Sequence, residues 1–230
     1  MKALLLLLFV SMGYSGLNAQ DTSSVTVKAG SNIKDALTTT DIFYYPEFTK
    51  GEVFFRHGTR AVAKLNYSRL VDEMHFLNPK GDTLALSDEG TIQSIHIDKD
   101  SFYFDQGWVR LVAGNKLIKL AEKQAWFFED KKKIVAYNTS STSAATNSIT
   151  SFNANGRIFN LIPNEDVVIR KGKQYFFGDK YNHFVPALKK NLVLLFPKEQ
   201  RVIEAYLKEN KVDFNNREDL EKVVQFLEHL

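Results

Sequence analysis

The chain has 230 residues, 44% of them hydrophobic, with 18 phenylalanines, no cysteine and a formal net charge of +3. Without cysteine, the sequence excludes disulfides, lipid attachment at an N-terminal cysteine, thiolate zinc sites and cysteine nucleophiles together. Thirty basic and 27 acidic residues nearly balance, so the charge gives no support to a nucleic-acid partner or to an acidic surface.

Lys2 opens the chain, Ala3 to Val10 form an almost unbroken apolar run, and Leu17-Asn18-Ala19 ends in a small residue. A charged tip, a short apolar helix and a small-residue exit make the secretory pattern. Residues 1–19 are therefore predicted to be a signal peptide, cleaved between Ala19 and Gln20. The run is too short for a permanent span, which needs roughly 20 apolar residues. Asn191 to Phe196, the most apolar later stretch, is short and flanked by Lys189, Lys190 and Lys198. The expectation is an exported protein, periplasmic, outer-surface or secreted, with no integral membrane segment once processed. Held by its core alone, such a chain has length for one large domain or two small ones.

Residues 20–40 are polar and lightly patterned and read as a flexible lead-in, with at most a short helical turn over 31–37. A β-rich domain is predicted over 41–137. Ile42 to Tyr45 and Val53 to Phe55 are short aromatic or β-branched runs, the second stopped by His57-Gly58-Thr59. Apolar residues alternate at 61, 63, 65 and 67, the period-2 trace of a half-buried strand. Met74 to Leu77 and Thr83 to Leu86 flank Asn78-Pro79-Lys80-Gly81-Asp82, a turn in which Pro presets φ and Gly accepts φ > 0. Ile92 to Ile97, Phe102 to Phe104, Trp108 to Val112 and Leu117 to Leu120 follow, punctuated by turn residues at 105–107 and 113–116. One alternative stands: apolar positions 63, 67, 70, 74 and 77 also fit a single helix over 60–77. The β-rich surroundings and the nearby Pro-Gly turn favour strand, a turn near Ser68-Arg69, then strand.

Residues 138–156 are rich in Ser, Thr and Asn and cannot bury enough apolar surface to order themselves. They read as a linker or long loop and as the best domain boundary. Residues 157–185 are predicted to hold further strands, with a turn at Lys171-Gly172-Lys173. Residues 186–230 are predicted to be helical: Pro186 to Leu195, Lys198 to Glu209, and Arg217 to Leu230 after an Asn216 cap. In the last of these Leu220, Val223, Val224 and Leu227 form one apolar face. The fold class is α+β: an antiparallel β-meander (sandwich, open barrel or curled sheet) followed by a short C-terminal helical segment.

Arg56-His57-Gly58-Thr59-Arg60 after an apolar strand resembles the active-site motif of the histidine phosphatases. In that chemistry a histidine attacks phosphorus while arginines neutralise the phosphoryl oxygens. The resemblance implies His57 as nucleophile and Arg56 and Arg60 as a phosphate clamp. The pattern departs from the family: Ala61-Val62-Ala63 replaces the expected proline region. His75, His96, His183 and His229 are not followed by the residues of the second catalytic histidine. The preferred reading is a hairpin turn with solvated arginines.

Glu73 and His75 share a face if their segment is a strand, with Asp72 on the other, and nothing completes a metal site. Asp179 to Phe184 reads as a tight connection before a helix. Lys131-Lys132-Lys133 reads as a solvated turn. No dinucleotide, phosphate-loop or nucleophile-elbow motif is present, and no cofactor is expected.

Four phrases carry a resemblance: Phe48-Thr49-Lys50-Gly51, Lys64-Leu65-Asn66-Tyr67, Lys80-Gly81-Asp82-Thr83-Leu84 and Phe177-Gly178-Asp179-Lys180. Together with the closing stretch from Leu195-Phe196-Pro197 to Asn210, they resemble an uncharacterised family of exported proteins from Bacteroidetes-type bacteria. That resemblance carries no assigned activity and no functional residues. The functional expectation is a non-enzymatic binding or structural module of the envelope or medium, its partner an envelope protein or a glycan. Two alternatives stand beside it: a phosphomonoester hydrolase using His57, and sugar binding through strand aromatics such as Tyr44, Tyr45, Tyr103 and Trp108.

Overall fold

The computed structural model describes residues 23–129 and 162–230. The predicted signal peptide at 1–19, the lysine run at 131–133 and the predicted linker at 138–156 lie outside the described residues. The strands are β1 (Ser24–Val27), β2 (Thr49–Phe55), β3 (Arg60–Ser68), β4 (Glu73–Leu77), β5 (Thr83–Ala85), β6 (Ile92–Ile97), β7 (Asp100–Phe104), β8 (Trp108–Gly114), β9 (Lys119–Glu129), β10 (Val167–Gly178) and β11 (Phe184–Pro186). They form one open antiparallel sheet in the order β1-β10-β9-β8-β7-β6-β2-β3-β4-β5, with β11 also on β10. The helices are α1 (Thr39–Ile42), α2 (Lys189–Leu195), α3 (Gln200–Glu209) and α4 (Arg217–Glu228). An antiparallel sheet followed by C-terminal helices is the α+β class expected from the sequence.

The segment 60–77 is strand, turn and strand, not a helix. β3 and β4 pair with Leu65 opposite Phe76 and Tyr67 opposite Met74; of the alternating apolar residues Leu65 and Tyr67 are buried, Ala63 is partly covered and Ala61 is exposed. Arg69 to Asp72 make the turn, and Asp72 sits at φ 52°, a conformation that Asp tolerates better than most residues. The Asn78–Asp82 turn forms as read, with Asn78 Oδ1 accepting from the amides of Lys80 and Asp82.

Three expectations are corrected. The described part of the lead-in predicted over 20–40, from residue 23 on, is not loose: Ser24–Val27 is a strand paired with Val167–Arg170 of β10. Val27, Ile33 and Leu37 are buried with Trp126 and Ile169. Ile42 to Tyr45 is not a strand, because Thr38 and Asp41 close a capping box that starts the short α1, and only Phe43 forms a bridge, to Ser68. Lys171-Gly172-Lys173 is not a turn but the middle of β10. Gly172 lies opposite Ala125, and the Phe127 ring occupies the space where a Cβ would be, 2.8 Å away. A glycine inside a strand marks such a close approach. β10 also pairs with β9 from Val168–Glu129 to Gly178–Lys119, so the strand after residues 138–156 belongs to the same sheet as those before them.

The apolar side chains gather in three clusters. One lies under the C-terminal helices, where Leu220, Val223, Val224 and Leu227 of α4 meet Ile118, Leu120 and Phe177. That is the helix face read from the sequence. A second fills the face of β2, β3, β4, β6 and β7 with Val53, Leu65, Met74, Ile95 and Phe102, closed by Trp108 of β8. The third joins β1, Leu70 and the end of β9.

The sheet is strongly curled. Trp126 N of β9 donates to Arg69 O at 3.3 Å, and Lys123 Nζ lies 2.7 Å from Asp72 Oδ2. The run from β9 through β8, β7, β6 and β2 to β3 therefore bends round until the turn after β3 touches β9. Twist accumulating over successive strands produces such curvature.

Candidate functional site

Charged residues of three neighbouring strands, and of the turn that the curl brings to β9, are paired inside the sheet. Arg110 on β8 donates through Nη1 to Asp100 Oδ1 at 2.7 Å and through Nη2 to Glu122 Oε1 at 2.5 Å. Asp100 also accepts from the Tyr45 hydroxyl at 2.7 Å, and Glu122 accepts from Gln124 Nε2 at 2.8 Å. The side chain of Glu122 is 2% exposed and that of Asp100 8%. Buried carboxylates at that depth persist only when paired and hydrogen-bonded.

A second pair closes the seam. Asp72 Oδ2 accepts from Lys123 Nζ, and its Oδ1 accepts from the Tyr67 hydroxyl at 2.7 Å. Gly107, at φ +128°, lies against this pair: a Cβ there would stand 2.4 Å from Lys123 Nζ and 2.6 Å from Asp72 Oδ2. Arg69, in the turn after β3, donates to the carbonyls of Thr40 and Phe43. Its guanidinium lies 5.6 Å from the Tyr44 ring centroid and that of Arg110 lies 5.4 Å from it, within cation–π range.

The electrostatics follow from burial and pairing. Burial pushes the Arg110 guanidinium down, but Glu122 and then Tyr44 and Asp100 outweigh it and hold the net shift upward. Burial pushes the Tyr67 hydroxyl up, and the adjacent Asp72 carboxylate adds to the shift. Burial lowers Arg69. Glu89, which accepts from Trp108 Nε1 at 2.9 Å, is raised, chiefly by burial. Between Tyr44, Tyr67, Phe102, Trp108, Arg110, Glu122 and Gln124 lies a cavity of about 10 Å³. That is the room one water molecule needs, against about 300–1,000 Å³ for a small-molecule pocket. As it stands, the cluster ties the strands together.

The Arg-His-Gly motif sits elsewhere, at the tip of the β2–β3 hairpin. His57 Nε2 is 2.7 Å from Thr59 Oγ1, and its ring stacks on Phe55 at 5.4 Å. Arg56 Nε donates to Gly90 O at 3.0 Å, while Arg60 extends towards Glu52, 3.6 Å away. The two guanidinium groups thus go to different partners and do not converge on His57. Glu73 and His75 do share a face of β4, with 3.0 Å between Glu73 Oε2 and His75 Nε2, while Asp72 turns to Lys123. Among the described residues no group of three or more Asp, Glu or His side chains is placed to hold a metal ion.

Asp179 to Phe184 is a tight connection, but from strand to strand. Asp179 Oδ1 accepts from the amides of Tyr181 and His183. Those bonds, the backbone amides of His183 and Tyr181 foremost, outweigh burial and hold the Asp179 carboxyl down. Trp108 is 1% exposed, so it packs in the core, and Tyr44 and Tyr45 pack beside it. Tyr103 rests against Phe184 at 5.9 Å.

The Arg110 cluster was not among the residues singled out in the sequence. Its signal is there: Arg110 stands inside the apolar run Trp108 to Val112, and Glu122-Lys123-Gln124 interrupts Leu120-Ala121 and Ala125-Trp126. Charges inside strands that must be buried call for partners. No described helix is long and apolar enough to cross a membrane. Comparison of the chain with protein families, with curated proteins and with solved structures finds no match.

Proposed function

We propose that the protein is an exported, non-enzymatic binding or structural module of a bacterial envelope or its surroundings, with an envelope protein or a glycan as the class of partner. The observation that carries the reading is the Arg110 cluster. Arg110 is bonded to Asp100 and Glu122, and Lys123 to Asp72, at 2.5–2.7 Å, and Arg110 and Glu122 line a water-sized space. Paired in this way they rigidify a curled sheet and leave its surfaces to make contacts.

The N-terminal pattern from Lys2 to Ala19 supports export. Fractionation of cells producing the full chain tests it: a mature N-terminus at Gln20 in the periplasmic, surface or secreted fraction is expected, and intact chain retained in the cytoplasm would refute export. Hydrolysis of a generic phosphomonoester by the purified protein and by His57→Ala tests the enzymatic alternative. The expected result is no turnover by either protein, and turnover lost in His57→Ala would overturn the non-enzymatic reading.

A further inference from the structure

β5 is the last strand of the sheet order, and its side chains are exposed. Leu86 N donates to Met74 O at 2.8 Å and Asn78 N to Asp82 O at 3.0 Å. In an antiparallel ladder such bonded positions recur at every second residue. With Leu84 opposite Phe76, the main-chain groups of Leu84 therefore face β4, and those of Thr83 and Ala85 face outward.

One row of side chains crosses this part of the sheet. Leu65 is opposite Phe76 and Phe76 is opposite Leu84, so the three share a face. Leu65 is 0% exposed and Leu84 is 44% exposed. The apolar row runs out at the sheet edge, beside a groove of about 470 Å³ lined by Phe55, Phe76, Leu84, Leu86 and Ile92 among others. Thr83–Ala85 holds no proline and no charged residue, so its three-residue length is what limits pairing at this edge.

The edge is self-complementary. In an antiparallel pair centred on Leu84, Thr83 of one copy meets Ala85 of the other, and each such pair exchanges both main-chain bonds. The two Leu84 side chains then stand opposite each other and continue the apolar row from one sheet into the next. Beyond the three paired residues, the turn that holds the exposed Lys80 of one copy lies on the same side of the axis as the segment that holds the exposed Asp88 of the other. Neither of these residues has an ion-pair partner among the described residues. Opposite charges thus flank both ends of the contact, and a contact of this symmetry closes as a dimer.

We propose that β5 is a homodimerisation edge, pairing with β5 of a second copy about a two-fold axis through Leu84. The inference stands apart from the functional reading above, because it requires neither export nor another ligand.

Sedimentation of the processed, purified protein up to about 1 mM tests it. A monomer–dimer equilibrium is expected. Leu84→Lys places two ammonium groups face to face, and Ala85→Pro removes an outward N–H while sparing the bonds to β4. Each should weaken the dimer by about tenfold or more, with the tryptophan spectrum of the monomer unchanged. Lys80→Asp and Asp88→Lys, both on the surface, should each weaken it, and their combination should restore it. A protein that stays monomeric over the whole range would overturn the proposal. So would a dimer that ignores all four substitutions, or one abolished by Thr26→Pro on the opposite edge strand and untouched at β5. A monomer whose Thr83 and Ala85 amides gain exchange protection only with a different protein would assign the edge to that partner and equally overturn it.

Discussion

Arg110 lies directly opposite Glu122 in the β8–β9 ladder, and its guanidinium bridges from Glu122 to Asp100 on the far side of β8. One side chain thus links β7, β8 and β9 across a buried face. Arg110→Met should leave two buried carboxylates without their cation and cost about 3–5 kcal/mol. Adding Glu122→Leu to that variant should recover part of the loss, because the second uncompensated charge goes with it. Urea unfolding followed by the fluorescence of the buried Trp108 and Trp126 measures both. An Arg110→Met protein as stable as the parent would show that the bridge contributes nothing.

Glu89 gives a pH signature of definite sign. Burial above all raises its carboxyl over the ordinary value of 4.5, so the folded protein holds this proton more tightly than the unfolded chain. Its contribution to stability is fully present below about pH 4.5 and is lost as pH rises through the higher folded value. Glu89→Gln cannot titrate but keeps an acceptor for Trp108. The stability of the parent relative to Glu89→Gln should therefore fall as pH rises from 4.5 towards 7, and a flat difference would contradict the assignment. Asp41 works the other way. The Thr38 hydroxyl is the main cause holding it below 3.8, so its contribution is present above that value and is lost on acidification.

Gly107 is fixed by its neighbours as well as by its backbone. Gly107→Ala should force apart the Lys123–Asp72 pair and strain a φ of +128°, at a cost of about 2–4 kcal/mol. Asp72→Asn in the same background should not restore stability, because the obstruction is steric. Thermal or urea unfolding of the single and double variants reads this out, and a Gly107→Ala protein within about 0.5 kcal/mol of the parent would refute the close approach.

The helical end is tied to the sheet through one face. Leu220 is 0% exposed, against the cluster that includes Leu120 and Phe177, so Leu220→Ala should cost about 2–5 kcal/mol. Asn216 accepts from the Asp219 amide at 3.0 Å, and Asn216→Ala should cost about 1 kcal/mol. If the two losses came out equal in urea unfolding, the helix would be held by its cap and not by its packing.

What the sequence disclosed is what short range determines. The Asn78–Asp82 turn, the alternation at 61–67 and the α4 face at 220, 223, 224 and 227 rest on neighbours within a few residues, and all three appear in the structure. β1 escaped notice because four residues carry too little pattern and its partner lies in β10. Gly172 misled because the Phe127 ring that explains it is invisible in sequence. The Arg110 bridge depended on strand pairing that puts Glu122 opposite Arg110, and the Asp72–Lys123 pair on curvature, since it forms only after β3 has swung round to β9. The Arg-His-Gly phrase showed the converse, since its residues are adjacent in sequence yet their guanidinium groups diverge in space.

The pairing of β1 with β10 also bears on the order of assembly. Ser24 waits for Arg170, so the first described strand finds no partner until roughly 150 further residues have been made. At about 5–20 residues per second of synthesis that delay is on the order of ten seconds or more. Pairings so remote along the chain form slowly, whereas the hairpins from β6 to β9 can zip as soon as they emerge. Until that late partner arrives, the nascent chain carries an unclaimed strand whose main-chain groups only water can satisfy.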